Sequence, residues 1–311
     1  MRILHWSPAL ILIIWFGCAV FVHFRGKVKL RFMRQLGDHS TFLAPYNLFV
    51  YLFSKVPNKP ILDINGFPEL LALRNNWETI RDEARRLYEE GHIKKSDTHS
   101  DLAFNSFFKR GWKRFYLKWY DDMMPSAMDL CPKTVELVKS IPSVNAALFA
   151  MLPGRSKLGA HRDPFAGSIR YHLGLITPNK DECRIFIDGD PYSWRDGQDV
   201  LFDETFIHSV RNDTDDARII LFCDVMRPMR YGFAQAINTF VCQHIVKISQ
   251  AQNSPTEKVG ALNRISKYIF GFREISERLG QRNRMLAKAL NLGLTLAVVA
   301  LLVLLVLRLR K

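Results

Sequence analysis

Cysteine is scarce in this chain, and its few copies are widely spaced. The 311 residues include five cysteines, and no two of them form a Cys-x-x-Cys pair. An odd number of scattered cysteines argues against a disulfide scaffold and against a zinc ribbon, and it favours a reducing compartment. The simplest role for all five is that of small buried hydrophobic side chains.

Nucleic-acid-binding motifs are also missing, as are internal repeats and low-complexity segments. The chain contains no zinc finger, helix-turn-helix signature or aromatic RNP stretch. Lys and Arg number 44 against 30 Asp and Glu, which gives a formal net charge of +14. Such a charge suits nucleic acid, an anionic membrane surface or an acidic substrate. Without a nucleic-acid motif, and with two apolar ends, the membrane is the favoured partner and nucleic acid is not expected.

The two ends of the chain are apolar and are flanked by basic residues. Residues 8–24 read PALILIIWFGCAVFVHF, and residues 289–307 read ALNLGLTLAVVALLVLLVL. The first stretch is barely long enough to span a bilayer, and a signal peptide is the alternative, although no small-x-small cleavage site follows. The second stretch is the stronger transmembrane candidate, and two buried core helices are the other interpretation. The adjoining basic residues place the middle of the chain on the cytoplasmic side.

Composition divides the chain into five segments. We expect an N-terminal transmembrane anchor over 1–25, a basic juxtamembrane linker over 26–65, a folded domain over 66–230, an amphipathic helical region over 231–288 and a C-terminal transmembrane segment over 289–307. Residues 30–75 contain four prolines and are predicted to be irregular. Helical periodicity appears over 77–90 and 134–141. Residues 92–122 mix basic and aromatic side chains, which suits either a lipid headgroup interface or an ordinary core segment.

Between 144 and 227 the pattern changes to short strands without long helices between them. The runs are VNAALFAML, SIRYHLGLIT, ECRIFIDG, DVLFDETFIHSVRN and ARIILFCDVM. Turn-forming Gly, Pro, Asp and Asn separate them. This texture predicts a mainly β core with flanking helices, over 144–230, built as a barrel or jelly roll rather than as a βαβ sheet.

The stretch with the most chemical content is His161-Arg162-Asp163. Side chains two apart on a strand share a face, so the imidazole of His161 and the carboxylate of Asp163 are placed to bind one ion. His208 would complete two histidines and one carboxylate, the facial set of non-haem Fe(II) oxygenases. Ten residues beyond His208 comes Arg218, at the start of an apolar strand that favours an inward side chain over a surface ion pair.

A His-x-Asp pattern alone is a weak signal, because the chain contains a second one, His99-Ser100-Asp101, in a polar stretch. This copy is predicted to be a surface turn. Asp203 and Glu204 precede His208 and are interpreted either as partners that orient an iron-binding histidine or as loop polar groups.

The combination resembles the aspartyl/asparaginyl β-hydroxylase family of Fe(II)/2-oxoglutarate-dependent dioxygenases. The matching text is HRDPFAGSIRYHLGLITP, followed by WRDGQDVLFDETFIHSVRNDTDDARIILFCDVMRP. The resemblance implies a double-stranded β-helix, the cupin-like jelly roll, as the catalytic core. It implies Fe(II) as cofactor, with 2-oxoglutarate and O₂ as co-substrates.

The resemblance also assigns roles to individual residues. The implied catalytic and metal-binding residues are His161 and His208, and Asp163 stands at the third ligand position, where it would complete the triad. The implied co-substrate residues are Arg218, Arg170 and His172. Animal members of the family lack the carboxylate that Asp163 supplies here. Their co-substrate serine has no counterpart near residues 149–151 of this chain.

Over its whole length the chain resembles the bacterial inner-membrane lipid A hydroxylases of that family, in the apolar N-terminus that continues into VHFRGKVKLRF, in the DHSTFL segment and in the apolar C-terminal end. This similarity implies hydroxylation of the 2-position of a secondary acyl chain of lipid A, by a domain that faces the cytoplasm. The alternatives are a β-hydroxylase of protein Asp or Asn residues, a zinc hydrolase that uses the same ligands, and a membrane scaffold without catalysis.

Overall fold

The computed structural model describes residues 8–32, 35, 39–95, 101, 104–108, 110–265 and six further positions between 268 and 285. The predicted C-terminal transmembrane segment, 289–307, lies outside the described residues. The helices are α1 Pro8–Phe24, α2 His39–Phe42, α3 Ala44–Phe53, α4 Leu71–Asn75, α5 Trp77–Glu89, α6 Asn105–Phe108, α7 Pro125–Leu130, α8 Pro132–Lys139 and α9 Gly232–Val241. The strands are β1 Ile61–Leu62, β2 Lys113–Trp119, β3 Asp122–Met123, β4 Val144–Leu152, β5 Ser156–His161, β6 Ser168–Ile176, β7 Cys183–Ile187, β8 Asp190–Ser193, β9 Asp199–Phe202, β10 His208–Asn212 and β11 Arg218–Met226.

The strands form two antiparallel sheets whose order is that of a jelly roll. The larger sheet runs β1-β9-β6-β11-β4-β2-β3, and the smaller one runs β5-β10-β7-β8. From β4 to β11 the chain passes back and forth between the sheets, so that β4, β6, β9 and β11 lie together opposite the other four strands. Eight strands in this double Greek-key order make a jelly roll. The prediction of a mainly β, cupin-like core is therefore confirmed.

The two sheets differ in what covers their outer faces. All nine positions of β4 are buried, because helices α5 and α8 pack outside the larger sheet while its inner face lines the interior. The nearly continuous apolar run of β4 follows from burial on both faces, whereas the equally buried β6 also carries Arg170 and His172, which line the cavity. In β5, exposed and buried positions are mixed, since the outer face of the smaller sheet meets solvent.

Residues 30–75 are more regular than their prolines suggest. They contain α2, α3 and α4, and β1 pairs with β9 at the edge of the larger sheet. Pro45 lies in the first turn of α3, where the missing N–H costs no intrahelical hydrogen bond. The prediction of irregular structure was wrong because it treated this proline as a breaker rather than as a helix start. Much of the segment predicted as a linker, 26–65, is thus built into the fold.

Helix α1 covers the predicted N-terminal anchor only in part. It contains 17 residues, and within the described part of the chain no helix is both long and apolar enough to cross a membrane. Its last turns pack on α3 through Cys18, Val22 and Ala44, whereas Leu12 and Ile13 near its start are exposed. The anchor over 1–25 stays a prediction.

Candidate metal centre

His161 and His208 face each other across the smaller sheet. His161 is the last residue of β5 and His208 is the first residue of β10, and the two are paired in the antiparallel ladder. Their ring centroids lie 4.3 Å apart. Strand pairing thus joins two histidines that are distant in sequence.

Asp163 reaches the same point by a different route from the one that strand alternation predicts. Strand β5 ends at His161, so Asp163 lies in the loop beyond it. The buried Arg162 donates from Nη1 to the Val22 carbonyl of α1 at 2.7 Å, and the Asp163 N–H donates to the Glu204 carbonyl at 3.0 Å. This turn leaves Oδ1 of Asp163 3.8 Å from Nε2 of His161. The prediction that His161 and Asp163 share a strand face was wrong, but the two side chains do lie close together, as that prediction implied.

A backbone carbonyl beside each histidine determines which ring nitrogen is free to bind a metal. Nδ1 of His161 lies 2.7 Å from the Gly159 carbonyl, and Nδ1 of His208 lies 3.0 Å from the Phe206 carbonyl. A carbonyl oxygen only accepts, so each Nδ1 carries the proton and each Nε2 keeps its lone pair for a ligand. Burial, and then the nearby His161, lower the pKa of His208 to about 4, which keeps that ring neutral.

The three side chains fit a divalent transition metal. Within the described residues, His161, Asp163 and His208 offer ligand atoms that all lie within 4.8 Å of one another. Two imidazoles and one carboxylate form the set that Fe(II) oxygenases use, with further positions open to small molecules.

Arg170 holds the carboxylate of Asp163 in place. Its Nη2 lies 2.9 Å from Oδ2 of Asp163 and also contacts Glu204, and its Nε donates to Asp224 at 2.8 Å. The ring of Phe222 lies under the guanidinium at 3.8 Å. Arg170 therefore lines the cavity, and carboxylates engage its Nε and Nη2, which makes it a positioning residue for Asp163; its predicted contact with the co-substrate stays a prediction.

Three carboxylates surround the single positive charge of Arg170. Burial raises the pKa of Glu204 well above its usual range, and burial likewise raises the pKa of Asp224. Glu204 also accepts from the Ser168 hydroxyl at 2.8 Å. Glu204 thus contacts Arg170 and the Asp163 backbone, which position the carboxylate ligand, and not an iron-binding histidine as one of its two interpretations proposed. Sequence reasoning missed Asp224, whose signal was an acid inside the apolar strand ARIILFCDVM.

Arg218 and His172 supply unpaired polar atoms on the inner face of the larger sheet. Both are buried. Among the described residues, Nε of Arg218 and both ring nitrogens of His172 have no hydrogen-bond partner. Trp194 lies beside both: the Arg218 guanidinium sits 4.2 Å from its ring, and the His172 ring centroid is 6.0 Å away. Buried polar groups are normally satisfied, so these atoms indicate a missing polar ligand.

Burial governs the protonation of both groups. It lowers the pKa of Arg218 to about 10, so the guanidinium keeps its charge at neutral pH. It also lowers the pKa of His172 well below the usual value, and the neighbouring Arg170 adds to this effect. The pair therefore presents one fixed cation and one neutral ring.

One cavity between the sheets joins these groups. The metal-binding set, Arg170, His172 and Arg218 all line it. Its other walls are apolar: Phe104, Phe107, Trp112, Ala150, Leu158, Ile185, Phe202, Val210, Ile220 and Phe222. Phe107 packs edge-on against His161, with ring centroids 5.0 Å apart. The aromatic segment near 104–112 thus closes the cavity beside the ligands.

The segment after α1 holds the loop that leads to His208. Arg25 is buried, and its Nη2 lies 2.6 Å from Oδ2 of Asp203, while its Nη1 donates to the Thr205 hydroxyl at 2.6 Å. Tyr51 of α3 donates to the same hydroxyl at 2.9 Å. Arg227 lies 2.8 Å from Asp203 on the other side. The arginines more than offset burial and hold the pKa of Asp203 below its usual range.

Asp101 is buried and structural, in contrast to the predicted surface turn. Its Oδ2 accepts from Arg114 Nε at 2.9 Å and from the Tyr116 hydroxyl at 3.0 Å. The polar composition of the stretch misled the prediction, because the partner that buries Asp101 lies on β2. His99 and Ser100 lie outside the described residues.

Comparisons with known proteins identify a family, related sequences and a solved structure. Residues 74–228 match the family described as Aspartyl/Asparaginyl beta-hydroxylase. The ornithine lipid ester-linked acyl 2-hydroxylase of Rhizobium tropici is 30% identical over 181 residues, which is 57% of this chain and 64% of that protein. The aspartyl/asparaginyl beta-hydroxylase of Homo sapiens is 28% identical over 169 residues, 52% of this chain and 22% of that protein. A crystal structure of a Pseudomonas putida prolyl-4-hydroxylase matches with a TM-score of 0.33 and 16% identity, over 50% of this chain and 88% of that one.

The matches concern the domain and not the whole of each relative. The chain spans less than two thirds of the length of these two curated relatives. Through residues 74–228, the chain belongs to the aspartyl/asparaginyl β-hydroxylase family.

Proposed function

We propose that this protein is an Fe(II)- and 2-oxoglutarate-dependent dioxygenase that hydroxylates the 2-position of a secondary acyl chain of lipid A. It acts at the bacterial inner membrane, with its domain on the cytoplasmic side. The observation that carries the proposal is the single cavity in which a two-histidine, one-carboxylate set, an unpaired buried arginine and apolar rings meet.

The residues present fit the metal and its co-substrate. His161, Asp163 and His208 would hold Fe(II), which with O₂ and 2-oxoglutarate supplies the oxidation of an unactivated C–H bond and yields succinate, CO₂ and an alcohol. Arg218 presents a buried, always-charged fork for the far carboxylate of 2-oxoglutarate. The neutral His172 beside it donates one further hydrogen bond to the same molecule.

The apolar walls favour an acyl chain as the group to be oxidised. Phe104, Phe107 and Trp112 cover the side of the cavity next to His161. Each buried methylene adds about 0.8 kcal/mol to binding, so several of them hold a chain without any polar contact. The same rings exclude water from the reacting carbon. Arg170 and Glu204 keep the Asp163 carboxylate in position while the chain and co-substrate bind.

The relative from Rhizobium tropici supports the position of attack. Its name describes 2-hydroxylation of an ester-linked acyl chain of a lipid. A secondary acyl chain of lipid A is also ester-linked, so the two substrates present the same carbon next to an ester carbonyl. The basic composition of the chain suits the phosphate groups of lipid A.

Mass spectrometry of lipid A tests the proposal. The chain is expressed in a bacterium whose lipid A lacks the 2-hydroxyl group. We expect a lipid A species heavier by one oxygen atom, which disappears in His161→Ala, Asp163→Ala and Arg218→Met variants. His92→Ala is the matched control, because this histidine follows α5, does not line the cavity, and has its Nε2 3.4 Å from the neighbouring Glu90 carboxylate.

Three other results would each redirect or overturn the proposal. Oxygen added to a different ester-linked lipid, with lipid A unchanged, would keep the reaction and replace the substrate. Hydroxylation of Asp or Asn in a peptide, with lipids unchanged, would favour the protein β-hydroxylase. Purified protein that does not bind Fe(II) would refute the dioxygenase assignment.

A further inference from the structure

Three neighbouring helices, α1, α3 and α9, contain no charged side chain. Their sequences are PALILIIWFGCAVFVHF, APYNLFVYLF and GFAQAINTFV, without Asp, Glu, Lys or Arg. The π-helical turn that continues α9, Cys242–Val246, is also free of these residues. Helices on a protein surface normally carry charges on the side that faces water.

The three helices form one continuous surface, which we name the docking face. Helix α1 packs on α3 through Val22 and Ala44. Helix α3 in turn packs on α9, where the Phe53 ring lies 5.2 Å from the Phe233 ring and the Tyr46 hydroxyl bonds to Asn238 at 2.7 Å. The docking face therefore runs from α1 across α3 to α9.

Large apolar side chains on the docking face point away from the protein. On α9, Phe233, Ile237 and Phe240 are 55%, 43% and 56% exposed, and their spacing puts them on one side of the helix. The opposite side, with Ala234 and Asn238, is buried. Leu52 of α3 and Leu12 and Ile13 of α1 are more exposed still, at 63%, 66% and 66%. Exposed apolar side chains on three adjacent helices are typical of an interaction site.

Basic residues follow or precede each of the three helices. Lys29 and Arg31 come after α1, Lys55 follows α3 and Arg230 precedes α9, and all four are exposed. Arg230 is fixed at the junction, where its Nε donates to the Ser54 carbonyl at 2.9 Å. Residues 1–60 contain a single acid, Asp38, and residues 228–256 contain none. The chain segments that form the docking face are thus basic and nearly free of acids, although Asp190 of β8 approaches Lys27 at 3.1 Å.

From this apolar centre and basic border, we propose that the docking face lies in the interfacial layer of an anionic bilayer. The helix side chains enter the region between headgroups and acyl chains, and the basic residues contact lipid phosphates. The choice of a lipid partner rests on the proposed function, whereas the identity of the surface does not. An anionic protein partner would also match the charge, but the lipid substrate makes the bilayer the better match.

The docking face also borders the metal centre. The Val22 carbonyl of α1 accepts from Arg162, and Asn47 of α3 contacts the Pro164 carbonyl at 2.9 Å and the Ala166 N–H at 2.9 Å. These contacts lie on both sides of Asp163. A bilayer against the docking face would therefore meet the protein next to the loop that carries this ligand.

Fluorophore quenching in the full chain tests this inference. The five native cysteines are buried, so a cysteine introduced at Ile237 or Leu52 takes a small environment-sensitive fluorophore selectively. Glu89→Cys is the matched control, an exposed position on α5, which packs on α4, α8 and the larger sheet. The labelled protein is reconstituted in vesicles of phosphatidylethanolamine and phosphatidylglycerol that carry nitroxide groups on their acyl chains.

We expect strong quenching and a blue-shifted emission at positions 237 and 52, and neither at position 89. Lys29→Glu with Lys55→Glu should reduce the quenching at 237 in these vesicles and leave it unchanged in phosphatidylcholine alone. Equal quenching at 237 and 89 would overturn the inference, as would a label at 237 that is shielded by a second protein copy or by the rest of the chain. A charge-reversal variant without effect would overturn the anionic bilayer. The measurement needs neither iron nor 2-oxoglutarate, so its outcome is independent of whether the hydroxylase proposal fails.

Discussion

Replacing Arg218 with methionine should weaken co-substrate binding without weakening the fold. The arginine is buried, and among the described residues no carboxylate lies within ion-pair distance of it. Its pKa, about 10, is below the usual arginine value, so the folded state binds this proton less favourably than the unfolded chain does. At pH 7, where both states are protonated, the charge therefore costs roughly 3 kcal/mol, and this cost falls only as the pH rises past 10.

Methionine fills a similar volume without the charge. It loses the cation–π contact with Trp194, which is worth about 1–2 kcal/mol. We therefore expect the free energy of unfolding in urea to stay unchanged or to rise by about 1–2 kcal/mol. Loss of a charge-assisted fork to the far carboxylate should cost about 1.5–3 kcal/mol, so the Kd for 2-oxoglutarate should rise roughly 10- to 150-fold. Anaerobic calorimetric titration of the metal-loaded protein measures this Kd.

Arg114→Met is the matched control, because it makes the same substitution at a buried arginine that has a partner. It would leave the Asp101 carboxylate buried without its cation, which should cost about 3–5 kcal/mol. The Tm should then fall by roughly 6–20 °C while the Kd for 2-oxoglutarate of the folded protein stays unchanged. The reasoning about Arg218 would be refuted if Arg218→Met destabilised the protein as much as Arg114→Met, or if it bound 2-oxoglutarate like the wild type.

Three further predictions concern the residues around the metal ligands. Arg170→Lys should weaken Fe(II) binding about 10- to 100-fold in a metal titration, since an ammonium group cannot span three carboxylates. The control Arg155→Lys, at an exposed ion pair, should leave Fe(II) binding unchanged. Equal metal affinity in both variants would contradict the positioning role of Arg170. Arg25→Gln should lower the free energy of unfolding by about 1–3 kcal/mol at pH 7, because it removes one of two cations on the buried Asp203. The pKa of Asp203 is depressed, so its stabilising contribution is present above pH ~4 and is lost as the pH falls further. The difference in the free energy of unfolding between the Arg25→Gln variant and the wild type should therefore narrow below pH ~4 in urea titrations. A difference that grows in acid would refute this reasoning. Phe107→Ala should lower kcat/KM for the acyl substrate about tenfold or more while leaving the Kd for 2-oxoglutarate unchanged, since its ring packs against His161. A larger change in the Kd for 2-oxoglutarate than in kcat/KM would show that Phe107 acts on the co-substrate and not on the acyl chain.

The residues of the metal centre illustrate how far sequence reasoning reaches. His161, His208 and Arg218 were identified because residue type, strand texture and family resemblance agreed. The grouping of His161 with Asp163 was inferred from strand alternation, and it is achieved instead by a loop whose turn depends on Val22 and on the Glu204 carbonyl. A hydrogen bond between residues 140 positions apart leaves no trace in local sequence pattern.

The sequence alone determined the mainly β core, the runs that become its strands and the residue types at its centre. These follow from periodicity and composition, which act over a few neighbouring residues. Only the tertiary structure decided which atoms are left unpaired, as in Arg218 and His172, and which are engaged, as in Arg170 with its three carboxylates. It also decided that three charge-free helices meet on one surface. Burial and pairing are properties of long-range packing. Only the folded chain therefore shows whether a buried charge is paired, as in Arg170, or unpaired, as in Arg218.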